Sequence, residues 1–180
     1  MQFLLSERPG FRSDLAENIR HLGAQTSQCK KCFRWFVKSA ERNGLCTICA
    51  SRTRDQSVLF VVEKDADIEN VERSGFRGMY FVLGGTIPLA AEEPEKHIRM
   101  HPLIARIESD ASELKLVELI LGLSATTEGD HTRQILHEKV RPLSESLNFK
   151  ISSLGRGLST GSELEYADPD TIQNALRSRN

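Results

Sequence analysis

Ser57-Val58-Leu59-Phe60-Val61-Val62-Glu63 is a continuous apolar run that ends in an acid, and its reading decides the fold. A strand with one face in water alternates apolar and polar residues. A run apolar on both faces suits a strand covered on both sides, as in a parallel sheet. Three further apolar segments follow downstream: Gly78-Met79-Tyr80-Phe81-Val82-Leu83-Gly84-Gly85, Lys115 to Ala125, and Phe149 to Leu154. Helical stretches separate them. Asp65 or Asp67 opens one that runs through Val71 and closes at Ser74-Gly75, and a second lies near Pro102 to Ala111. A third, Asp130 to Leu147, places Ile135, Leu136, Val140 and Leu143 at helical spacing, and Pro142 is expected to kink or interrupt it. Asp168-Pro169 starts a last helix, with a capping aspartate and proline at the first helical position. Strands alternating with helices argue for an α/β fold built on a parallel layer.

Upstream of this run lies a different kind of signal. Cys29, Cys32, Cys46 and Cys49 form a C-x2-C-x13-C-x2-C array and are the only cysteines in the chain. Two such knuckles can set four thiolates at the corners of one tetrahedron, a site suited to Zn²⁺ ahead of Fe. Two disulfides are the competing reading, but nothing in the sequence suggests an oxidising compartment. A closed four-cysteine site leaves no position for an activated water, so its expected role is structural. Before it, residues 13–23 read as a short helix that Ser13 or Asp14 can cap, with Leu15, Ile19 and Leu22 on one face and Gly23 at its end. The expected organisation is a helical segment over 1–28, a zinc module over 29–54, the parallel-sheet domain over 55–148 and a C-terminal segment over 149–180.

Charge divides the chain in the same place. Residues 1–54 hold ten Lys/Arg against four Asp/Glu, a net of +6, whereas residues 55–180 hold fourteen against twenty-one, a net of −7. A basic module favours a polyanion through counterion release. Lys30, Lys31, Arg34, Lys38, Arg42, Arg52 and Arg54 are the candidates for phosphate contact, each adding a salt-dependent, sequence-independent increment. The loop from Phe33 to Leu45 adds Trp35 to these cations. It reads equally as a nucleic-acid contact or as a solvated loop with Trp35 packed on the metal knuckle. No apolar run approaches the roughly 20 residues of a membrane span. The start, Met1 to Arg8, lacks the basic and apolar regions of a signal peptide, so the cytoplasm is the expected compartment.

Open parallel sheets build their sites outside the carboxyl ends of the strands. Glu63 follows the first apolar strand, with Asp67 just beyond, and Glu128-Gly129-Asp130 follows the third. These carboxylates could converge on a hard cation such as Mg²⁺. Glu128 and Asp130 equally suit a helix N-terminus, where acids are common. His97 and His101 share a spacing of four but have no third ligand, and His131 is given no role. Gly84-Gly85 is not followed by a phosphate-binding glycine or lysine pattern, which leaves nucleotide binding unsupported.

Taken in order, the cysteine knuckles, Val61-Val62-Glu63 with Asp67, the stretch from Gly78 to Gly85 with Pro88-Leu89, Thr127-Glu128-Gly129-Asp130-His131-Thr132, and Arg156-Gly157-Leu158 through Gly161, Glu163-Leu164-Glu165-Tyr166-Ala167-Asp168 closely resemble the bacterial recombination mediator family RecR. The resemblance covers roughly residues 13–179. It implies a Toprim-like domain carrying Glu63, Glu128 and Asp130, and a Walker B-like segment around Arg156 to Tyr166. It further implies structural zinc on the four cysteines and a ring-shaped homo-oligomer, a dimer or tetramer. The implied task is nucleoid-associated and non-catalytic, performed with RecO-like and RecF-like partners that help load recombinase on single-stranded or gapped DNA. The Toprim acids would lie near the surface that meets RecO.

Some residues depart from the family pattern. Arg8-Pro9-Gly10-Phe11 lacks the second glycine of the family's helix-hairpin-helix turn, so that unit is expected to be absent, with its share of DNA contact and oligomer interface. The knuckle-to-knuckle loop is somewhat long, Ser159 stands where proline is frequent, and Ala90-Ala91-Glu92-Glu93 replaces a glycine-bearing stretch. Two readings compete with the mediator. One is a Mg²⁺-dependent Toprim enzyme acting on phosphodiesters, with Glu63 as general acid/base and Glu128 and Asp130 on the metal. Against it, the two tyrosines, Tyr80 inside a strand and Tyr166 near the C-terminus, are poorly placed as nucleophiles. The other is a protein-interaction module that no longer touches DNA.

Overall fold

The computed structural model describes residues 2–39, 42–113, 116–155 and 164–177. They divide into two compact units, residues 1–54 and 55–180.

The first unit contains helices α1 (Gln2–Ser6) and α2 (Pro9–Gln25), strands β1 (Thr26–Gln28) and β2 (Trp35–Val37), and the short helix α3 (Thr47–Ala50). Helix α2 exceeds the expected 13–23 at both ends. Pro9 occupies its first turn, where a missing N–H is harmless, and Ser13 and Asp14 therefore lie within the helix instead of capping it. Gly23 does not end it either. A helical glycine costs only about 1 kcal/mol relative to alanine, and here the last carbonyls find donors. Thr26 Oγ1 donates to Leu22 O at 2.7 Å, and Lys38 Nζ donates to Ala24 O at 2.9 Å and to Gly23 O at 3.3 Å. The ring of Phe3 meets Phe11 edge-on, 6.0 Å between centroids, joining α1 to α2. Strands β1 and β2 pair antiparallel, Thr26 opposite Val37 and Gln28 opposite Trp35. Elements three residues long carry no readable period, so this ribbon has no counterpart in the sequence reading.

The second unit contains β3 (Val58–Val62), α4 (Asp65–Arg73), β4 (Met79–Val82), α5 (Met100–Glu113), β5 (Glu118–Gly122), α6 (Thr127–Leu147), β6 (Lys150–Ser153) and α7 (Pro169–Arg177). The sheet order is β4-β3-β5-β6, and every pairing is parallel. All but the first residue of β3 and every residue of β4 are buried, as their unbroken apolar runs require. Strand β5 alternates, with Leu119 and Leu121 inward. Ile68 of α4, Leu103 and Ile107 of α5, and Leu136 and Val140 of α6 complete the core. Asp168 caps α7 as expected, its carboxylate accepting from Thr171 N at 2.9 Å.

Pro142 does not interrupt α6, which runs unbroken to Leu147. The carbonyl deprived of its partner belongs to Glu138, and both Glu138 and Pro142 lie on the exposed side, where water can serve that carbonyl. Tyr80 is fully buried among Phe60 and Phe76, and its hydroxyl donates to Glu72 at 2.7 Å. It is a core residue. Among the described residues no helix is long and apolar enough to cross a membrane.

Candidate functional site

The four cysteines converge. One sulfur from each of Cys29, Cys32, Cys46 and Cys49 lies within 4.8 Å of all the others, and Cys32 Sγ and Cys46 Sγ are 3.6 Å apart. A tetrahedral ion with Zn–S bonds of about 2.3 Å sets its sulfurs about 3.8 Å apart. A disulfide would hold them at about 2.05 Å, and all four thiols are free. Local backbone builds the cage. Phe33 turns left-handed (φ 62°) just after the first knuckle, and its N–H donates to Cys29 O at 2.9 Å. Lys30 N donates to Gly44 O at 3.1 Å, tying the first knuckle to the approach of the second. Backbone amides aim at sulfur as well. Cys46 N donates to Cys29 Sγ and Cys49 N to Cys46 Sγ, both at 3.4 Å. Such bonds stabilise thiolates and orient them.

Four thiols this close cannot ionise independently. The neighbouring Cys32 thiol, with help from Cys46, drives Cys29 towards thiolate. Its interaction with Cys29, joined by burial, holds Cys32 protonated. A bound cation reverses that logic and favours thiolate at all four. The arrangement can hold a metal such as zinc, with all four tetrahedral positions taken by protein.

The carboxylates of the sheet edge are differently placed. Glu63 follows β3 and is buried. Its Oε1 accepts from Ser124 N at 2.6 Å and its Oε2 from Ser124 Oγ at 2.9 Å, so both oxygens hold the loop leaving β5. Asp67 closes the first turn of α4, accepting from Lys64 N at 2.8 Å. Glu128 and Asp130 lie in the first turn of α6, which Thr126 caps. Glu128 accepts from Thr86 Oγ1 at 3.2 Å, and Asp130 pairs with Arg133. Among the described residues the cysteines are the only group of three or more such ligands gathered within reach of one ion. The four acids each have local partners and do not converge as the Mg²⁺ reading requires.

Three residues that the sequence reading left without a role organise this edge. Ser124 receives Glu63. Thr132 joins two segments, donating to Glu128 O at 2.7 Å and accepting from Ile87 N at 2.8 Å. Gly129 lets α6 press against the β5 exit, because a Cβ there would stand 2.1 Å from Ser124 O. The Gly within Glu-Gly-Asp was the one visible sign of that contact.

The candidate cations also separate. Lys38 is committed to the end of α2, and Arg42 Nη2 donates to Val37 O at 3.3 Å with its guanidinium 5.8 Å from the Phe36 ring. Lys30, Lys31 and Arg52 are exposed, while Arg34 and Arg54 are partly covered. Trp35 is 57% exposed on β2. The Walker B-like stretch lies outside the described residues until Leu164, after which Tyr166 is exposed in a 3-10 turn.

Comparison with known proteins agrees with this architecture. Residues 57–154 match the Toprim domain family, and residues 157–180 match the family described as RecR, C-terminal. Recombination protein RecR of Chloroflexus aggregans is 35% identical over 178 residues, covering 98% of this chain and 80% of that protein. Its namesake in Rubrobacter xylanophilus is 36% identical, over 92% of this chain and 77% of its own length. The Porphyromonas gingivalis protein of the same name is 38% identical, over 92% and 71%. With a Toprim match over more than half its length and relatives this similar over nearly all of it, the chain belongs to the RecR family of recombination proteins.

Proposed function

We propose that this protein acts in recombinational DNA repair as a non-catalytic mediator. It holds structural Zn²⁺ on Cys29, Cys32, Cys46 and Cys49, contacts DNA through the basic module, and engages RecO-like and RecF-like partners as a homo-oligomer to help load recombinase on gapped DNA. Glu63, Asp67, Glu128 and Asp130 serve on the partner-binding side of this reading.

The observation that supports the non-catalytic part is the pair of hydrogen bonds from Ser124 to Glu63. A general base or metal ligand needs an available lone pair aimed at the reacting centre. Glu63 spends two of its four acceptor sites on a backbone amide and a hydroxyl of its own domain, which gives it a structural task and aims both oxygens at the Ser124 loop. The chemistry of the module supports DNA contact: a net charge of +6 over residues 1–54, with Lys30, Lys31 and Arg52 exposed.

The test combines binding and turnover. Single-stranded and gapped DNA should bind with an affinity that falls steeply with salt. Charge reversal at Lys30, Lys31 and Arg52 together should weaken binding and flatten the log–log salt slope by up to about 2 for a single strand. Labelled DNA incubated with Mg²⁺ or Mn²⁺ should remain intact. Cleavage that disappears in Glu63→Gln would overturn the mediator in favour of a Toprim phosphodiester enzyme. Light scattering after size exclusion, with and without DNA, reads ring formation. Absence of DNA binding at low salt would leave a module devoted to protein partners.

A further inference from the structure

The exposed face of the β1–β2 ribbon is not explained by the metal site. Trp35 and Val37 point to the same side of β2, and they are 57% and 67% exposed. Opposite them on β1 stand Gln28 and Thr26. Beside this face a hollow of about 370 Å³ is lined by Leu22, Gly23, Thr26 and Trp35. That volume falls in the range of small-molecule sites, about 300–1,000 Å³. The ammonium of Lys38 bonds the carbonyl of Gly23, which lines the hollow, and that of Ala24.

We infer that this hollow is a stacking site for an unpaired base of single-stranded nucleic acid, with the Trp35 indole as its platform and Lys38 beside the strand's phosphates. The inference rests on the DNA-binding reading above and adds to it the form of the ligand and the residue that selects it. An indole offers a flat π-face to any base, so stacking is insensitive to sequence, whereas a duplex keeps its bases stacked on one another and shows only their edges. Charge decides between nucleic acid and an apolar protein segment. The module that carries the hollow has ten cationic side chains against four acidic ones. A polyanion gains from that surface by releasing counterions, and an apolar peptide does not.

Trp35 is the only tryptophan in the chain, so its emission reports the contact directly. The full-length protein is titrated with oligodeoxythymidylate and, separately, with the matching dT·dA duplex. Emission should be strongly quenched by the single strand and little changed by the duplex. In anisotropy with labelled oligodeoxythymidylate, Trp35→Ala should bind roughly 5- to 150-fold more weakly, as expected for one lost stack. Trp35→Phe, which keeps a π-face, should recover most of the affinity. Circular dichroism of both variants should match the parent, since the indole is largely outside the packed interior.

Single-strand binding with unchanged Trp35 emission and full affinity in Trp35→Ala overturns the stacking site while leaving the DNA-binding reading intact. Failure of both DNA forms to bind overturns both readings. Quenching that depends on protein concentration and not on DNA overturns the assignment in favour of contact between copies of this chain.

Discussion

Replacing Gly129 with alanine tests the architecture of the acidic edge at its tightest point. In an open helical position the change would stabilise by up to about 1 kcal/mol. Here the added Cβ would stand 2.1 Å from Ser124 O, whereas real Cβ contacts stay beyond 3.0 Å. The first turn of α6 and the β5 exit must therefore separate by about 0.9 Å. Both sides are backbone, so no side chain can swing aside. The shift stretches the cap from Gly129 N to Thr126 Oγ1, now 3.1 Å, and the turn from Asp130 N to Thr126 O, now 2.8 Å. Overpacking costs about 1–3 kcal/mol and a weakened cap about 1 kcal/mol. Subtracting the propensity gain leaves a loss of about 1–3 kcal/mol. Urea denaturation followed by circular dichroism should show a midpoint lower by about 1 M, given slopes of 1–3 kcal/mol/M. Gly23→Ala is the control, because a Cβ there meets nothing within 4 Å, and it should be neutral or stabilising. A Gly129→Ala midpoint at or above the parent's would refute the close approach of α6.

Freshly prepared, reduced protein should contain one zinc per chain by metal analysis, and chelation or Cys49→Ser should unfold residues 1–54 while the sheet domain keeps its circular dichroism. Glu63→Gln keeps the side chain's shape but turns an N–H donor towards Ser124 N or its hydroxyl. Thermal unfolding should show a destabilisation of about 1–3 kcal/mol, as expected for a lost charge-assisted bond, and labelled DNA should stay intact with Mg²⁺ for variant and parent alike. Glu95 bonds Lys139 of α6 at 2.9 Å and His101 of α5 at 3.0 Å, and the hydrogen bond and charge of Lys139 hold its carboxyl below the ordinary value. The tie from the β4–α5 loop is thus complete at neutral pH and is lost as pH falls through that lowered value. Carboxyl NMR should place the Glu95 midpoint below that of a free glutamate, and Lys139→Met should raise it.

Much of this fold is legible because both faces of the sheet are covered. Burial on both sides forces the unbroken runs around Phe60 and Phe81, and the intervening helices follow from their spacing. The order β4-β3-β5-β6 was not legible, since every strand reads alike along the chain and pairing is set by contacts distant in sequence. The four thiols could be placed together because two knuckles encode a tetrahedron locally. The acidic edge could not. Glu63 and Ser124 are 61 residues apart, and nothing in either segment announces that the carboxylate will accept from a loop amide and hydroxyl. A different limit hid the buried pair of Arg106 with Asp110, 2.7 Å apart and one turn from each other on α5. Helical spacing puts both on the buried face with Leu103 and Ile107, and only their charge argues for solvent. Pro142 misled for the opposite reason. Its local rule is sound, but the orphaned carbonyl opens onto water and the helix survives.

Helix α2 passes into β1 without a linker residue, Gln25 to Thr26, and Lys38 from the far side of the ribbon grips its last turn. Seventeen residues at 1.5 Å each make a rod of about 25 Å welded to the cysteine module at one end. With the joint stiffened, a tilt of a few degrees at the knuckles becomes a swing of ångströms at the distal tip. A load on the ribbon would therefore steer the N-terminal end of the rod, and an ion held by the knuckles would also set the bearing of that lever.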